Sequence, residues 1–257
     1  MSQIAHGQFC WFECASTDAV AAKHFYTEIF RWKAVDVPMP GEVESHYTLL
    51  KVGDADMAGL YQLSGAHFEG VPAHWLSYVK VESADESAQL AESLGGSVVV
   101  PPFDVPDVGR MAFLQDPSGA NFAVFQAGRH EGRGESENSH GCLGWCALTT
   151  TDLDGCRDFY TRLFGWEART GDDGYTEFHA GGRSIGGMSA PAEPHGEAPP
   201  SWLPYALVDD CDASAARVEE LGGRLLVPPC DAGGVGRFAV FADPMGATLA
   251  FITMKGH

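Results

Sequence analysis

Basic residues are scarce in this chain: Lys and Arg total 16 against 35 Asp and Glu, a formal charge of −19 over 257 residues. A surface of that sign repels phosphate backbones and anionic lipid, which argues against nucleic-acid and membrane partners but tolerates a cationic small ligand. Most of these carboxylates read as a solvated, solubilising surface. No run of eighteen apolar residues is present, and the opening MSQIAHGQF lacks the basic and apolar regions of a secretion signal, so a cytoplasmic protein is expected. The seven cysteines include no CxxC pair. Cys10 with Cys14, and Cys142 with Cys146, stand four apart in apolar, strand-like runs, which reads as buried free thiols rather than a disulfide framework or zinc knuckle.

What the chain has in quantity is repetition. The stretch VGRMAFLQDPSGANFAVF at 108–125 returns as VGRFAVFADPMGATLAFI at 235–252. In each, an Asp-Pro-x-Gly turn separates two apolar runs; proline presets φ and glycine supplies a positive φ, so each copy reads as a β-hairpin. Residues 8–32 match 142–166 at a constant offset of 134, pairing Trp11 with Trp145, Phe25-Tyr26 with Phe159-Tyr160 and Trp32 with Trp166. Each of these begins as a strand, passes Thr17-Asp18 or Thr151-Asp152 as the helix N-cap candidates, and continues with apolar residues at helical spacing, such as Ala22, Phe25, Tyr26, Ile29 and Phe30. Two short strands follow, 47–52 and 57–63, matched by 175–180 and 185–189; the first half has a longer connection containing Val37-Pro38-Met39-Pro40-Gly41, read as a loop. A strand at 75–81, a helix at 84–94 ended by Gly95-Gly96 and a strand at 97–100 lead into the hairpin, and 202–208, 213–221 and 225–229 repeat them.

The expected fold is therefore α+β: four βαβββ modules forming two tandem cupped barrels, with 45% hydrophobic residues supplying ample core. The expected domains are 1–127 and 141–257. The stretch 128–140, glycine-rich with little to bury, reads as a linker.

Strand, TxDxxxAxxFYxxLFGW-like helix, LGG, then GR(F/M)AxxxDPxGA, occurring twice in the same order, resembles the vicinal oxygen chelate superfamily of glyoxalase I, extradiol dioxygenases and bleomycin resistance proteins. More narrowly it is similar to tandem two-domain glyoxalase-like proteins of actinobacteria, a group labelled hydroxylases or culture-filtrate antigens. The resemblance implies cupped sheets whose metal ligands lie on the first strand of a module, seven residues before the helix-capping Asp, and on its last strand, seven after the Asp of DPxG. Those positions hold Trp11, Trp145, Ala123 and Ala250, and the second-module strand offers Leu76 and Leu203. None carries an imidazole, carboxylate or thiolate donor. No metal ligand and no cofactor are assigned, although a divalent metal bound elsewhere stays open.

With the cup given by that resemblance, Glu13 shares a strand face with Trp11 and is the candidate general base or anchor; its counterpart is Ala147. Trp11 and Trp145, with Tyr47 and Tyr175, would form aromatic walls for a flat or cationic molecule. Trp75, Trp202, Tyr78 and Tyr205 belong to the same repeated aromatic set, in part as core. Arg110 and Arg237 could clamp an anion, or pair with Glu13, or form structural ion pairs. Asn121 and Thr248 could donate hydrogen bonds inside the cups. Glu177 and His179 share a face and read as a solvated strand edge, while His46 and His74 are lone imidazoles.

Two functions follow: a protein binding a small molecule in an aromatic cup without the usual metal triad, or a glyoxalase-like isomerase, lyase or hydroxylase using Glu13 as base. A third possibility is that one barrel is only a scaffold. The expected partner is a small-molecule ligand, in a monomer (a pseudo-dimer) or weak homodimer.

Overall fold

The computed structural model describes residues 4–38, 46–134, 139–191 and 199–256. The first sheet takes in β1 (Phe9–Ser16), β2 (Lys33–Pro38), β3 (His46–Val52), β4 (Ala55–Gln62), β5 (His74–Val81), β6 (Ser97–Val105), β7 (Gly109–Gln115) and β8 (Asn121–Ala127). Its strand order is β2-β3-β4-β1-β5-β8-β7-β6, two βαβββ modules joined at their first strands. The second sheet repeats that order with β9 (Leu143–Thr149), β10 (Glu167–Thr170), β11 (Thr176–Ala180), β12 (Arg183–Ser189), β13 (Ser201–Leu207), β14 (Arg224–Ala232), β15 (Gly236–Ala242) and β16 (Thr248–Met254). Each module carries one helix: α1 (Ala19–Phe30), α2 (Ala84–Ser93), α3 (Leu153–Phe164) and α4 (Cys211–Glu220). Among the described residues no helix is long and apolar enough to cross a membrane.

The helix starts follow from side-chain capping. Asp18 and Asp152 accept hydrogen bonds from the amides of Ala21 and Gly155, and Ser83 and Asp210 do the same for α2 and α4. Of the two N-cap candidates in each first helix, the aspartate is the one used.

Several strands differ from expectation. β2 and β10 supply the strand each first βαβββ module needs, at positions the sequence reading did not locate; each is an edge strand with no fully buried residue, so neither shows a clear alternation. Val37 and Pro38, expected in a loop, end β2, while Met39, Pro40 and Gly41 lie outside the described residues. β6 and β14 run on through Pro101-Pro102 and Pro228-Pro229. Both are sheet edges with register shifts, at 98–103 and 225–230, where missing amide donors are tolerated.

By backbone proximity the chain forms two compact units that cut across the sequence halves. One comprises residues 1–11, 76–132 and 145–203; the other comprises 12–75, 133–144 and 204–257. The first is held at its centre by Asp116. This carboxylate is buried, and its Oδ1 accepts the amides of Ser118, Gly119 and Ala120, each at 2.9 Å, so it shapes the DPxG turn. Its Oδ2 accepts the Tyr160 hydroxyl at 2.9 Å, and Tyr160 in turn accepts the Trp202 indole N–H at 2.7 Å. The second unit repeats the chain of bonds: Trp75 to Tyr26 at 2.8 Å and Tyr26 to Asp243 Oδ2 at 2.9 Å. Trp75 and Trp202 are thereby core residues. Burial pushes both tyrosine hydroxyls well above the ordinary phenol range, so they stay protonated donors.

Removing either hydroxyl leaves a buried carboxylate oxygen and a buried indole N–H short of a partner. Tyr160→Phe and Tyr26→Phe should each cost about 1–3 kcal/mol, read from urea midpoints at unchanged slope. A loss within error of zero would show that these bonds do not hold the units together.

Candidate functional site

Each sheet has one face packed on helices and one without them. On β1 the Cys14 thiol is fully buried and lies within reach of the Tyr26 hydroxyl of α1, so Cys14 marks the helix side. Strand alternation then places Trp11 and Glu13 on the other face. Glu13 is half-buried there, and the Tyr47 hydroxyl of β3 donates to its Oε1 at 2.6 Å. Tyr61 of β4 borders the same carboxylate; burial first, then the charges of Glu13 and Cys14, pushes its phenol well up. A carboxylate flanked by two phenols is the arrangement expected of an anchor for a ligand hydroxyl or ammonium.

Gly59 makes that geometry possible. It lies opposite both Glu13 and Leu49, and a Cβ at this position would overlap the Tyr47 ring and hydroxyl. Gly187 plays the same part for Tyr175. With Ala147 standing where Glu13 stands in the first half, the Tyr175 hydroxyl instead lies within reach of Trp145. Burial, with Glu177 adding to it, pushes the Tyr175 phenol up to about 12.

Trp11 meets the imidazole of His130 edge-on at 4.9 Å between ring centres, and His130 also lies 6.4 Å from Phe125. Nearby on the same unit, Phe113 stands edge-on to Tyr78 and Phe103. The residues following β8 are thus more than a spacer: His130 packs on the aromatic face, and Glu131 pairs with Lys80 at 2.8 Å. Sequence reasoning passed over His130 because nothing near it is periodic; its one signal was an imidazole in an otherwise featureless glycine-rich stretch.

The arginines do not join Glu13. Arg110 binds Asp85 through two nitrogens, at 2.6 and 2.9 Å, and Asp104 through the third, at 3.1 Å. Arg237 does likewise with Asp212 and Asp231. Both clamp a hairpin to the first turn of the neighbouring helix, so of the three readings of these arginines the structural ion pair is the one formed, and neither the anion clamp nor the pairing with Glu13 is. Asn121 is exposed beside Gln115, and Thr248 is half-buried at the start of β16. The ring of His74 bonds the Pro72 carbonyl at 2.9 Å, and His46 is exposed. All seven cysteines are free, with Cys230 half-buried and the other six buried.

The family model of the Glyoxalase/Bleomycin resistance protein/Dioxygenase superfamily matches residues 9–124 and again 143–251. The chain belongs to this superfamily. It is 35% identical over 256 residues to a Mycobacterium bovis protein named "Putative glyoxylase CFP32", covering 98% of this chain and 96% of that one. It is 34% identical over 269 residues to the anthracycline biosynthesis protein DnrV of Streptomyces peucetius, covering 99% and 96%. Two solved structures share the fold. The Mn(II)-bound glyoxalase of Novosphingobium aromaticivorans superposes with a TM-score of 0.65 at 16% identity, over 98% of this chain and 83% of that one. The 2,3-dioxygenase LapB of Pseudomonas sp. KL28 gives 0.63 at 13%, over 97% and 93%.

The superfamily is known for metal centres, but the residues here do not fit one. Trp11 lies on the helix-free face of β1, and Ala123 and Ala250 are fully buried opposite Tyr78 and Tyr205. Among the described residues no three His, Cys, Asp or Glu side chains are grouped to share an ion. Alkyl and indole groups offer no donor pair to a divalent cation, so no step below passes through a metal.

Gly59→Ala should cost about 1–3 kcal/mol by forcing Tyr47 aside, and clearly less in a Tyr47→Ala background. Equal costs in both backgrounds, measured by denaturant unfolding, would contradict the contact.

Proposed function

We propose that this superfamily member binds a small, flat, hydroxylated or cationic organic molecule on the helix-free face beside Glu13, without a metal triad. The supporting observation is the Glu13 carboxylate held at 2.6 Å by Tyr47 on a half-buried surface. A carboxylate has about four lone-pair sites, so it can keep Tyr47 and still accept from a ligand hydroxyl or ammonium. Partial burial strengthens that bond relative to water. Tyr47 fixes the carboxylate's direction, which lowers the ordering cost of binding. Aromatic side chains on this face suit stacking against a ring system. The name of the DnrV relative, an anthracycline biosynthesis protein, is in keeping with a polycyclic aromatic ligand.

A second reading, favoured by the glyoxylase name of the mycobacterial relative, makes Glu13 a general base. It would take a proton from a carbon beside a carbonyl and return it to the neighbouring carbon, with Tyr47 orienting the carboxylate. On either reading a monomer suffices, since paired modules complete each sheet within one chain.

Quenching of tryptophan fluorescence by 1,8-dihydroxyanthraquinone tests the binding reading. The wild type should bind, a chelator should not change the affinity, and Glu13→Gln and Tyr47→Phe should each weaken binding at least about tenfold, the size of one charge-assisted hydrogen bond. Equal binding by wild type and Glu13→Gln, or stoichiometric metal in freshly purified protein, would contradict it. Turnover of the methylglyoxal–glutathione hemithioacetal that is lost in Glu13→Ala would favour the second reading.

A further inference from the structure

The second half has lost the carboxylate of the first, yet the same face of its first module carries another. On β11, Phe178 turns to the helix side, with its ring 6.2 Å from Tyr160 and 5.0 Å from Trp166. Glu177 and His179 alternate with it and so lie on the helix-free face, towards which Trp145 and Tyr175 also point. The solvated-edge expectation fails for His179, whose side chain is only 13% exposed. The corresponding residues in the first half are Leu49 and Lys51. Polarity has thus moved from the first strand of the module to its third.

Three features mark the Glu177–His179 pair as a site. First, His179 Nε2 is buried and has no hydrogen-bond partner among the described residues. Its nearest carboxylate oxygen, Glu177 Oε1, stands at 3.5 Å without bonding geometry. Second, the facing edge-strand charges do not satisfy it: Glu167 and Arg169, opposite His179 and Glu177 on β10, pair with each other at 3.1 Å. Third, the floor next to Glu177 is low. Glu177 faces Gly187, and Gly187 faces Ala147, so the Tyr175 ring that lies over Gly187 has only a methyl group beside it where the first half has the Glu13 side chain. Glu177 is itself 41% exposed, which opens the pair to solvent.

A buried ring nitrogen without a partner is costly, and such a group in a native fold calls for an explanation. We propose that Glu177 and His179 form a second ligand site, selective for a neutral phenolic hydroxyl on a flat ring lying against Trp145 and Tyr175. A hydroxyl both accepts and donates, so it can take the Nε2 proton's hydrogen bond and give its own to Oε1. A carboxylate ligand would meet repulsion from Glu177, and an ammonium would leave Nε2–H without an acceptor. This site is independent of the one at Glu13.

The test uses full-length protein carrying Glu13→Gln, so that failure of the first site cannot mimic failure of the second. Isothermal titration with 2-naphthol should show one site, weakened at least tenfold by His179→Phe and by Glu177→Leu, while naphthalene and 2-naphthoate bind at least tenfold more weakly. In 15N spectra the His179 Nε2 resonance should move on adding 2-naphthol and stay still with naphthalene; this readout needs no further variant to fold. Absence of 2-naphthol binding, binding unchanged by His179→Phe, or a stationary His179 resonance at saturation would overturn the proposal.

Discussion

The buried hydrogen bond from a helix tyrosine to a turn aspartate is the constraint on which the rest of the structure depends. Tyr160 to Asp116 and Tyr26 to Asp243 each join the helix of one module to the hairpin of another, far away in sequence. Each aspartate does two jobs: one oxygen gathers the amides of its own turn and the other receives the tyrosine. Leaving either set of bonds unmade is costly, since a carboxylate at this depth has no water to replace them. Trp202 and Trp75 complete the chains, and Trp166 and Trp32 add indole bonds to the carbonyls of Gly7 and Gly141, at 2.6 and 2.8 Å.

This explains why the repeats agree so closely on the helix side of each sheet, whereas on the other side the aromatic residues and glycines match but the charged positions do not. The FYT helix, the DPxG turn and the tryptophans form the helix side, where a change strands a buried polar group. The helix-free face is under no such restraint. There Glu13 corresponds in the repeat to Ala147, Leu49 to Glu177 and Lys51 to His179, while Gly59 and Gly187 keep a tyrosine over each floor. The positions where the superfamily would place metal donors hold Trp11, Ala123, Trp145 and Ala250, whose indole and methyl groups offer none.

The fold was legible because its signals are local. Asp-Pro-x-Gly turns, an aspartate before an amphipathic helix and a repeat offset of 134 can be read from neighbours in sequence. The misses were edge elements: Lys33–Pro38 and Glu167–Thr170 bury too little to alternate, and the Pro-Pro pairs disguised the length of β6 and β14. The tyrosine–aspartate bonds were invisible because they link residues 44 and 217 positions apart. At the site, the shared face of Trp11 and Glu13 was readable from alternation, but which way β11 faces was not, because Glu177, Phe178 and His179 offer a single apolar residue among three. Only the packing of Phe178 on Tyr160 and Trp166 orients it. For Arg110 and Arg237 the structural ion pair was among the readings, but its partners were not named, because Asp85 and Asp212 sit in helix first turns, beyond any strand pattern.

We propose that the helix-free face beside Glu13 and Tyr47 holds a small organic ligand by hydrogen bonding and stacking. The most direct measurement is a crystal structure of the protein grown with 1,8-dihydroxyanthraquinone. Ring density is expected on that face with a hydroxyl within hydrogen-bond distance of Glu13, and no metal ion between ligand and protein. Ligand bridged to the protein by a metal ion, or bound only away from this face, would contradict it.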